Sequence, residues 1–349
     1  MSHTERITTR RAGALALLLV GSGALAAPIT LKGAGATFPQ PLYARMFEQY
    51  SRDTNGTVRV VYNSVDSAAG RILMTNGNAM FGATDTPMTG KAGSDALVQV
   101  PTALGAVAIV HHVPGVNQPL RFTGDVLAQI FLGKITTWNN AAITKLNEGV
   151  KLPAKSILVV HQTDLSGSTA VLNNYFLKVS TDWKSRFGQT NEVRFPVGIP
   201  TVRGADAAEK VAALPGSIGY MELTYAVKKQ LTVAAVQNKQ GIPITPSLPS
   251  ITAAAASVPL PAEGFGSITD APQGYPISSY SYVVVRQDLK QQKGVTQKDA
   301  QALKDLLGWM LVKGQQFGPE LSYAPLPSET VERARKQLAR LTYGGSQLK

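Results

Sequence analysis

Residues Gly33-Ala34-Gly35-Ala36-Thr37-Phe38-Pro39 form a run of small residues that ends in a hydroxyl, a backbone N–H and a proline. A helical pattern starts at once, because Leu42, Tyr43, Met46, Phe47 and Tyr50 recur at the spacing of one helix face. Small residues let the backbone approach a ligand, and a helix N-terminus offers unpaired N–H groups with positive partial charge. Two readings stay open on these residues alone, an anion cradle and an ordinary glycine turn. The dinucleotide fingerprint is a weak match, since Phe38 stands where G-x-G-x-x-G needs its third glycine.

The chain then repeats strand, loop and helix, which predicts an α/β fold. Asn55-Gly56 is a turn signal, and Thr57 to Tyr62 alternates and is β-branched, a strand. Ser67 follows it at the position of a helix N-cap. Ala79 to Ala83 reads as a short apolar strand ending in Thr84-Asp85-Thr86-Pro87. Three consecutive strand ends or loops thus deliver Thr37, Ser67 and Asp85, and open α/β sheets bind ligands at the carboxyl ends of their strands. Ser67 serves equally well as a plain helix cap, and Asp85 as a turn former.

Ala103 to Val110 predicts a buried strand, followed by His111 and His112, which point opposite ways on a strand and so make a poor metal pair. Thr123 to Leu132 reads as a capped helix stopping at Gly133. Ser156 to Val160 is another strand, running into His161-Gln162-Thr163-Asp164-Leu165-Ser166-Gly167-Ser168-Thr169 and then a helix through Val171, Leu172, Tyr175 and Phe176. This is a second loop rich in hydroxyls at a helix start. It lacks the G-x-S-x-G elbow of a serine hydrolase. Residues 241–274 hold six prolines and read as a long surface segment or a domain crossing. Tyr282 to Val285 predicts a strand, Thr296 with Asp299 a capping box, and a basic last helix begins near Ser328. No internal repeat is present.

Targeting and composition narrow the function. Arg6, Arg10 and Arg11 precede an apolar run, Ala12 to Leu25, and Ala24-Leu25-Ala26 is a cleavage signal, so residues 1–26 read as a secretory signal peptide cleaved after Ala26. No later stretch is long and apolar enough to span a bilayer. Removing three Arg and one Glu from 34 basic and 22 acidic residues leaves a net charge of +10. No basic run carries interleaved aromatics, which argues against nucleic acid. The absence of Cys, and four His without a metal-binding spacing, argue against zinc or any other cofactor.

Taken together, these stretches resemble the periplasmic phosphate-binding proteins of bacterial phosphate ABC importers. The residues that carry the resemblance are Gly33 to Pro39, Phe81 to Pro87, Leu132-Gly133-Lys134-Ile135 with Trp138-Asn139, and Leu214 to Tyr220. It covers nearly all of the mature chain. It implies a type II two-lobed binding protein, with lobe 1 from residues 27–104 and 275–349 and lobe 2 from 105–274, joined by hinge crossovers. It further implies a monomer that is no enzyme, delivers inorganic phosphate to permease subunits in the membrane, and stays in the periplasm. Thr37 and the Phe38 N–H, Ser67, and Ser166, Gly167 and Ser168 would hold phosphate oxygens, and Asp85 would accept the ligand's own proton.

The chemistry supports the last role. An ionised carboxylate only accepts hydrogen bonds, so beside a buried oxyanion it is tolerable when that oxyanion carries a proton. Phosphate near neutral pH carries one, and sulfate does not. One position departs from the family's pattern. The usual Arg of the second-lobe loop is Gln162, which takes its place among the expected phosphate-binding residues and can donate but brings no charge. His161 or Arg203 could supply a cation in its place, and Asp164 loses its usual partner. The departure leaves a second expectation beside inorganic phosphate: another oxyanion, a phosphate ester, or a sensing or scaffold role.

Overall fold

The structure is a computed structural model that describes residues 27–88, 96–163, 166–188 and 193–349. The signal peptide, Asp164 and Leu165 lie outside the described residues. In chain order the first half contains β1 (Ile29–Gly35), α1 (Gln40–Asp53), β2 (Val58–Ser64), α2 (Ser67–Thr75), β3 (Phe81–Thr84) and the long strand β4 (Leu97–His112). Then come β5 (Arg121–Phe122), α3 (Gly124–Phe131), α4 (Ala141–Leu146), β6 (Leu158–Gln162), α5 (Gly167–Val179), α6 (Thr181–Phe187), β7 (Ile199–Thr201), α7 (Gly204–Ala213), β8 (Ser217–Glu222) and α8 (Leu223–Lys228). The chain closes with β9 (Thr232–Val233), β10 (Ala235–Gln237), β11 (Pro243–Ile244), α9 (Leu248–Ser257), β12 (Ser278–Arg286), α10 (Gln297–Leu311), α11 (Ser328–Leu338), β13 (Thr342–Tyr343) and β14 (Ser346–Gln347).

The main sheet runs β2-β1-β3-β12-β4-β8-β6-β7, with β9 also paired to β4. β4 belongs to both halves of it. From Leu97 to Ala106 it lies antiparallel to β12, and from Val107 to His112 it lies antiparallel to β8. The chain returns at the same place, where the Val107 N–H donates to the Ile277 carbonyl at 2.9 Å. The apolar run read at Ala103 to Val110 is therefore the middle of a longer strand, buried from Val98 to His111 because it is covered in both halves.

On one side of this crossing, β2, β1 and β3 are parallel, and α1 and α2 connect them. On the other side β8, β6 and β7 are parallel. Each half has its own aromatic core. Tyr43, Phe47, Tyr62 and Phe81 pack together in the first, and Phe131, Phe176, Trp183, Phe195 and Tyr220 in the second. The result is two α/β lobes that meet at β4, with the carboxyl ends of β1, β2 and β3 on one side of the seam and those of β6 and β8 on the other.

Several local expectations hold. Thr123 caps α3, accepting from the Val126 N–H, and Gly133 after it has φ +74. Thr296 and Asp299 form both halves of the capping box on α10. One expectation is corrected, and one stretch gains elements. The N-cap of α2 is Asp66, whose carboxylate accepts from the Ala69 N–H at 2.7 Å, so Ser67 is the first helical residue. The proline-rich stretch 241–274 contains β11 and α9. Pro249 sits in the first turn of α9, where a missing N–H costs nothing, and a Ser247–Ser250 capping box starts the helix.

Candidate functional site at the lobe junction

The opening motif resolves residue by residue. A Cβ on Gly33 would fall 2.0 Å from the Phe81 ring, so this glycine makes room for the core. Gly35 has φ +138, and a Cβ there would lie 2.2 Å from the Ala83 carbonyl. Both glycines thus serve strand packing and the turn. Thr37, half-buried at the mouth of that turn, is the residue left facing the other lobe. Its Oγ1 accepts from the Gly167 N–H at 3.3 Å, a contact across the seam. Phe38 buries its ring against Tyr323 with the ring planes nearly perpendicular, and its N–H favours the ionised form of Asp85.

Asp85, directly after β3, is 1% exposed. Its Oδ1 accepts from the Ser281 hydroxyl at 2.6 Å and its carbonyl from the Ser279 hydroxyl at 3.2 Å, both from β12. The Asp85 N–H donates to Ser67 Oγ at 3.1 Å. Because Asp66 caps α2, the Ser67 hydroxyl is free to reach this loop. The other Asp85 oxygen, Oδ2, is buried without a partner. It lies so close to Gly167 that a Cβ there would come within 1.7 Å of it.

The second lobe contributes from β6, the start of α5 and the end of β8. Gln162 is 1% exposed, and its Oε1 accepts from the Ser166 hydroxyl at 2.6 Å while its Nε2 donates to the Tyr220 carbonyl at 3.4 Å. Ser166 therefore caps α5 by position, yet its hydroxyl is turned to Gln162 and leaves the first turn without a side-chain cap. The Ser168 hydroxyl is fully buried and has no partner. Beside it lies a carboxyl that sequence reasoning missed, Glu222. Glu222 is 3% exposed, ends β8, and has an unpartnered Oε2.

Among the described residues four buried side-chain atoms have no hydrogen-bond partner, and Asp85 Oδ2, Ser168 Oγ and Glu222 Oε2 are three of them. Native proteins keep such groups rare because each costs about 1–3 kcal/mol. The fourth is Nδ1 of His111, inside the second lobe, where burial pushes the imidazole down to about 4. Thr37, Gln162, Arg203, Glu222 and Tyr225 line one cavity of about 460 Å³ at the junction. A larger depression of about 790 Å³ lies along α1 and β2 and contains none of these residues. Of the two candidate cations, Arg203 reaches the junction cavity, while His161 stacks on Phe195 at 4.6 Å, on the opposite face of β6 from Gln162.

Burial raises both carboxyls, Asp85 to about 7 and Glu222 to about 7. For Asp85 the Ser281 hydrogen bond opposes the shift, and for Glu222 the nearby Ser168 hydroxyl opposes it while the charge of Asp85 adds to it. This has a thermodynamic sign. Between the unfolded carboxyl range and about 7, the folded state holds more protons than the unfolded one, so stability falls as pH rises. Ligand-free protein should melt several degrees lower at about pH 8 than at about pH 5, a loss on the order of a few kcal/mol. Calorimetric scans in matched ionic strength check this, and a higher melting temperature at the alkaline end would refute the raised values.

What the junction offers a ligand is therefore hydroxyls, backbone N–H groups and two carboxyl oxygens that lack partners. That set suits a tetrahedral oxyanion that carries protons of its own. Among the described residues no cluster of three or more potential metal ligands occurs, and no helix is long and apolar enough to cross a membrane.

A family model described as a PBP superfamily domain matches residues 22–313. The phosphate-binding protein PstS of Pasteurella multocida is 36% identical over 335 residues, covering 94% of this chain and 95% of the relative. PstS of Haemophilus influenzae is 33% identical, covering 92% of this chain and 96% of its own. Among solved structures, a high affinity periplasmic phosphate-binding protein (PfluDING) bound with phosphate superposes with a TM-score of 0.67 at 19% identity, over 88% of this chain and 93% of that one.

Proposed function

Because the chain belongs to the PstS family of phosphate-binding proteins, within the PBP superfamily, we propose that it captures inorganic phosphate at the lobe junction and hands it to an ABC importer. The observation that carries this reading is the convergence of three partnerless buried atoms, Asp85 Oδ2, Ser168 Oγ and Glu222 Oε2, on one seam. A protonated tetrahedral anion supplies what each lacks. Thr37, Ser67 and Ser168 offer hydroxyls, Phe38 and Gly167 offer N–H groups, Ser166 and Gln162 stand bonded to each other beside them, and Asp85 accepts the ligand's proton.

Residues 27–104 and 275–349 make lobe 1 of this reading and residues 105–274 lobe 2. The change of partner strand at Ala106 and Val107 supports hinges near those limits. Ligand contacts from both lobes favour the closed form, which is how capture becomes a signal to a permease. The chain acts in the periplasm as a monomer, after removal of residues 1–26, and carries out no chemical step. The alternative of a different oxyanion or a phosphate ester, raised by Gln162, has no observation in its favour here.

Calorimetric titration tests this on protein freed of ligand by unfolding and refolding. Phosphate should give a tight one-to-one isotherm and sulfate no measurable heat. Absence of phosphate binding, or equal binding of sulfate, would refute the proposal.

A further inference from the structure

We propose that Glu222 is a second reader of the ligand's protons, so that the site holds phosphate as the dihydrogen anion and takes up a proton when it binds the dianion. The inference rests on the phosphate reading above. Its starting point is a buried acid with one carboxyl oxygen left over from its contacts with its own backbone and with Ser168. Glu222 is 3% exposed, its Oε2 has no partner, and it lines the same cavity as Thr37 and Gln162. Gly204 at the start of α7 packs against it so tightly that a Cβ there would lie 1.9 Å from Oε2. The carboxyl is thus confined, and a small ligand at Ser168 would meet it.

The charge balance makes the proton necessary. A hydrogen phosphate dianion has one proton to give, and Asp85 uses it. A second ionised carboxylate would then compete with the phosphate for the one Ser168 hydroxyl beside it, and the oxygen left without that donor would be repelled in a buried site. Gln162 brings no charge to relieve this, and Arg203, the cation lining the cavity, is solvent-exposed. The groups acting on the Glu222 carboxyl are its own backbone N–H, the Ser168 hydroxyl and Asp85, while its charge is felt by Tyr225 of α8 and by Tyr323, with Arg203 and Asp206 also acting on Tyr225. None of them is a cation in contact with the carboxyl. One proton from solvent solves the problem: hydrogen phosphate plus that proton binds as dihydrogen phosphate, one O–H donating to Asp85 and the other to Glu222. The raised affinity of Glu222 for protons before binding fits the same surroundings.

The test is inorganic phosphate titrated calorimetrically between about pH 8 and about pH 9, where free phosphate is the dianion. Wild-type affinity should fall about tenfold per pH unit, with about one proton taken up per phosphate when buffers of different ionisation enthalpy are compared. Glu222→Gln keeps the shape and can donate to a phosphate oxygen, so its affinity should change less than about twofold over that range, with proton uptake near zero. An equal slope in both proteins overturns the role of Glu222. Binding by the wild type without proton uptake overturns it too, and needs no variant to fold. Absence of phosphate binding at every pH overturns the phosphate reading itself, and this inference with it.

Discussion

Gly167→Ala should weaken phosphate capture at least about hundredfold while leaving the fold intact. A Cβ at residue 167 would lie 1.7 Å from Asp85 Oδ2 and 3.3 Å from Asp85 Cβ. Real Cβ atoms do not approach so closely, and Asp85 cannot retreat, because Ser281 and Ser279 hold its carboxyl and its carbonyl. Asp85 and Gly167 belong to different lobes, so the clash exists only when the lobes are together. Separation of the lobes would relieve it without disturbing either core. The cost therefore falls on closure rather than on folding. Phosphate affinity should drop at least about hundredfold, equivalent to about 3 kcal/mol. The melting temperature of ligand-free protein should change little. Gly308→Ala in α10, where a Cβ meets nothing within 4 Å, is the control and should be neutral or slightly stabilising. If Gly167→Ala binds phosphate within about threefold of wild type, the approach of Asp85 to residue 167 is not part of the binding state.

Which parts of this site could be read from the sequence follows from how local their causes are. Thr37, Ser67 and Asp85 stand at carboxyl ends of successive parallel strands, and each strand carries its own signal within a few residues. The α5 start was legible for the same reason, since a hydroxyl-rich loop between strand and helix needs no distant partner to be recognised. The assignment of the α2 cap went to Ser67 rather than Asp66 because both types cap well and propensity does not rank neighbours. The difference matters, because capping by Asp66 is what releases the Ser67 hydroxyl toward Asp85. Gln162 and His161 could not be assigned to faces until the pairing of β6 with β7 and β8 fixed the strand's orientation.

Glu222 was not legible for a deeper reason. Its strand, Ser217 to Glu222, is buried throughout, and its importance depends on β4 and β6 placing its end beside Ser168, residues far apart in sequence. The one local hint was an acid closing an otherwise apolar strand. The helix α9 was hidden in the same way by its prolines, which suggest a loop until Pro249 is seen to fall in a first turn. The change of partner strand between Ala106 and Val107 has no local signal, because β4 is apolar on both sides of it; a limit at 104/105 comes from the family resemblance alone.

Asp85→Asn should remove discrimination between phosphate and sulfate. Asp85 Oδ1 is fixed by the Ser281 hydroxyl, which leaves Oδ2 as the oxygen presented at the seam. As a carboxylate, that oxygen accepts and cannot donate. Phosphate satisfies it with a proton, whereas sulfate would oppose it with a second bare oxygen. The repulsion is worth several kcal/mol in a buried site, enough for a selectivity of about a thousandfold or more. In the variant the Asn keeps Oδ1 on Ser281 and turns an amide N–H₂ toward the ligand. Sulfate then gains a donor, and phosphate loses the acceptor for its proton. The expected result is a rise in sulfate affinity, a fall in phosphate affinity, and a ratio within about tenfold of unity. The same variant carries a second readout that does not involve ligand. Asn does not titrate, so the loss of stability with rising pH that Asp85 imposes should shrink, and ligand-free Asp85→Asn should gain on wild type at about pH 8 but not at about pH 4. Competition calorimetry and thermal scans measure the two independently. An unchanged selectivity ratio together with a flattened stability profile would mean that Asp85 is buried and raised as described but does not read the ligand. An unchanged ratio with an unchanged profile would mean that its carboxyl is neither.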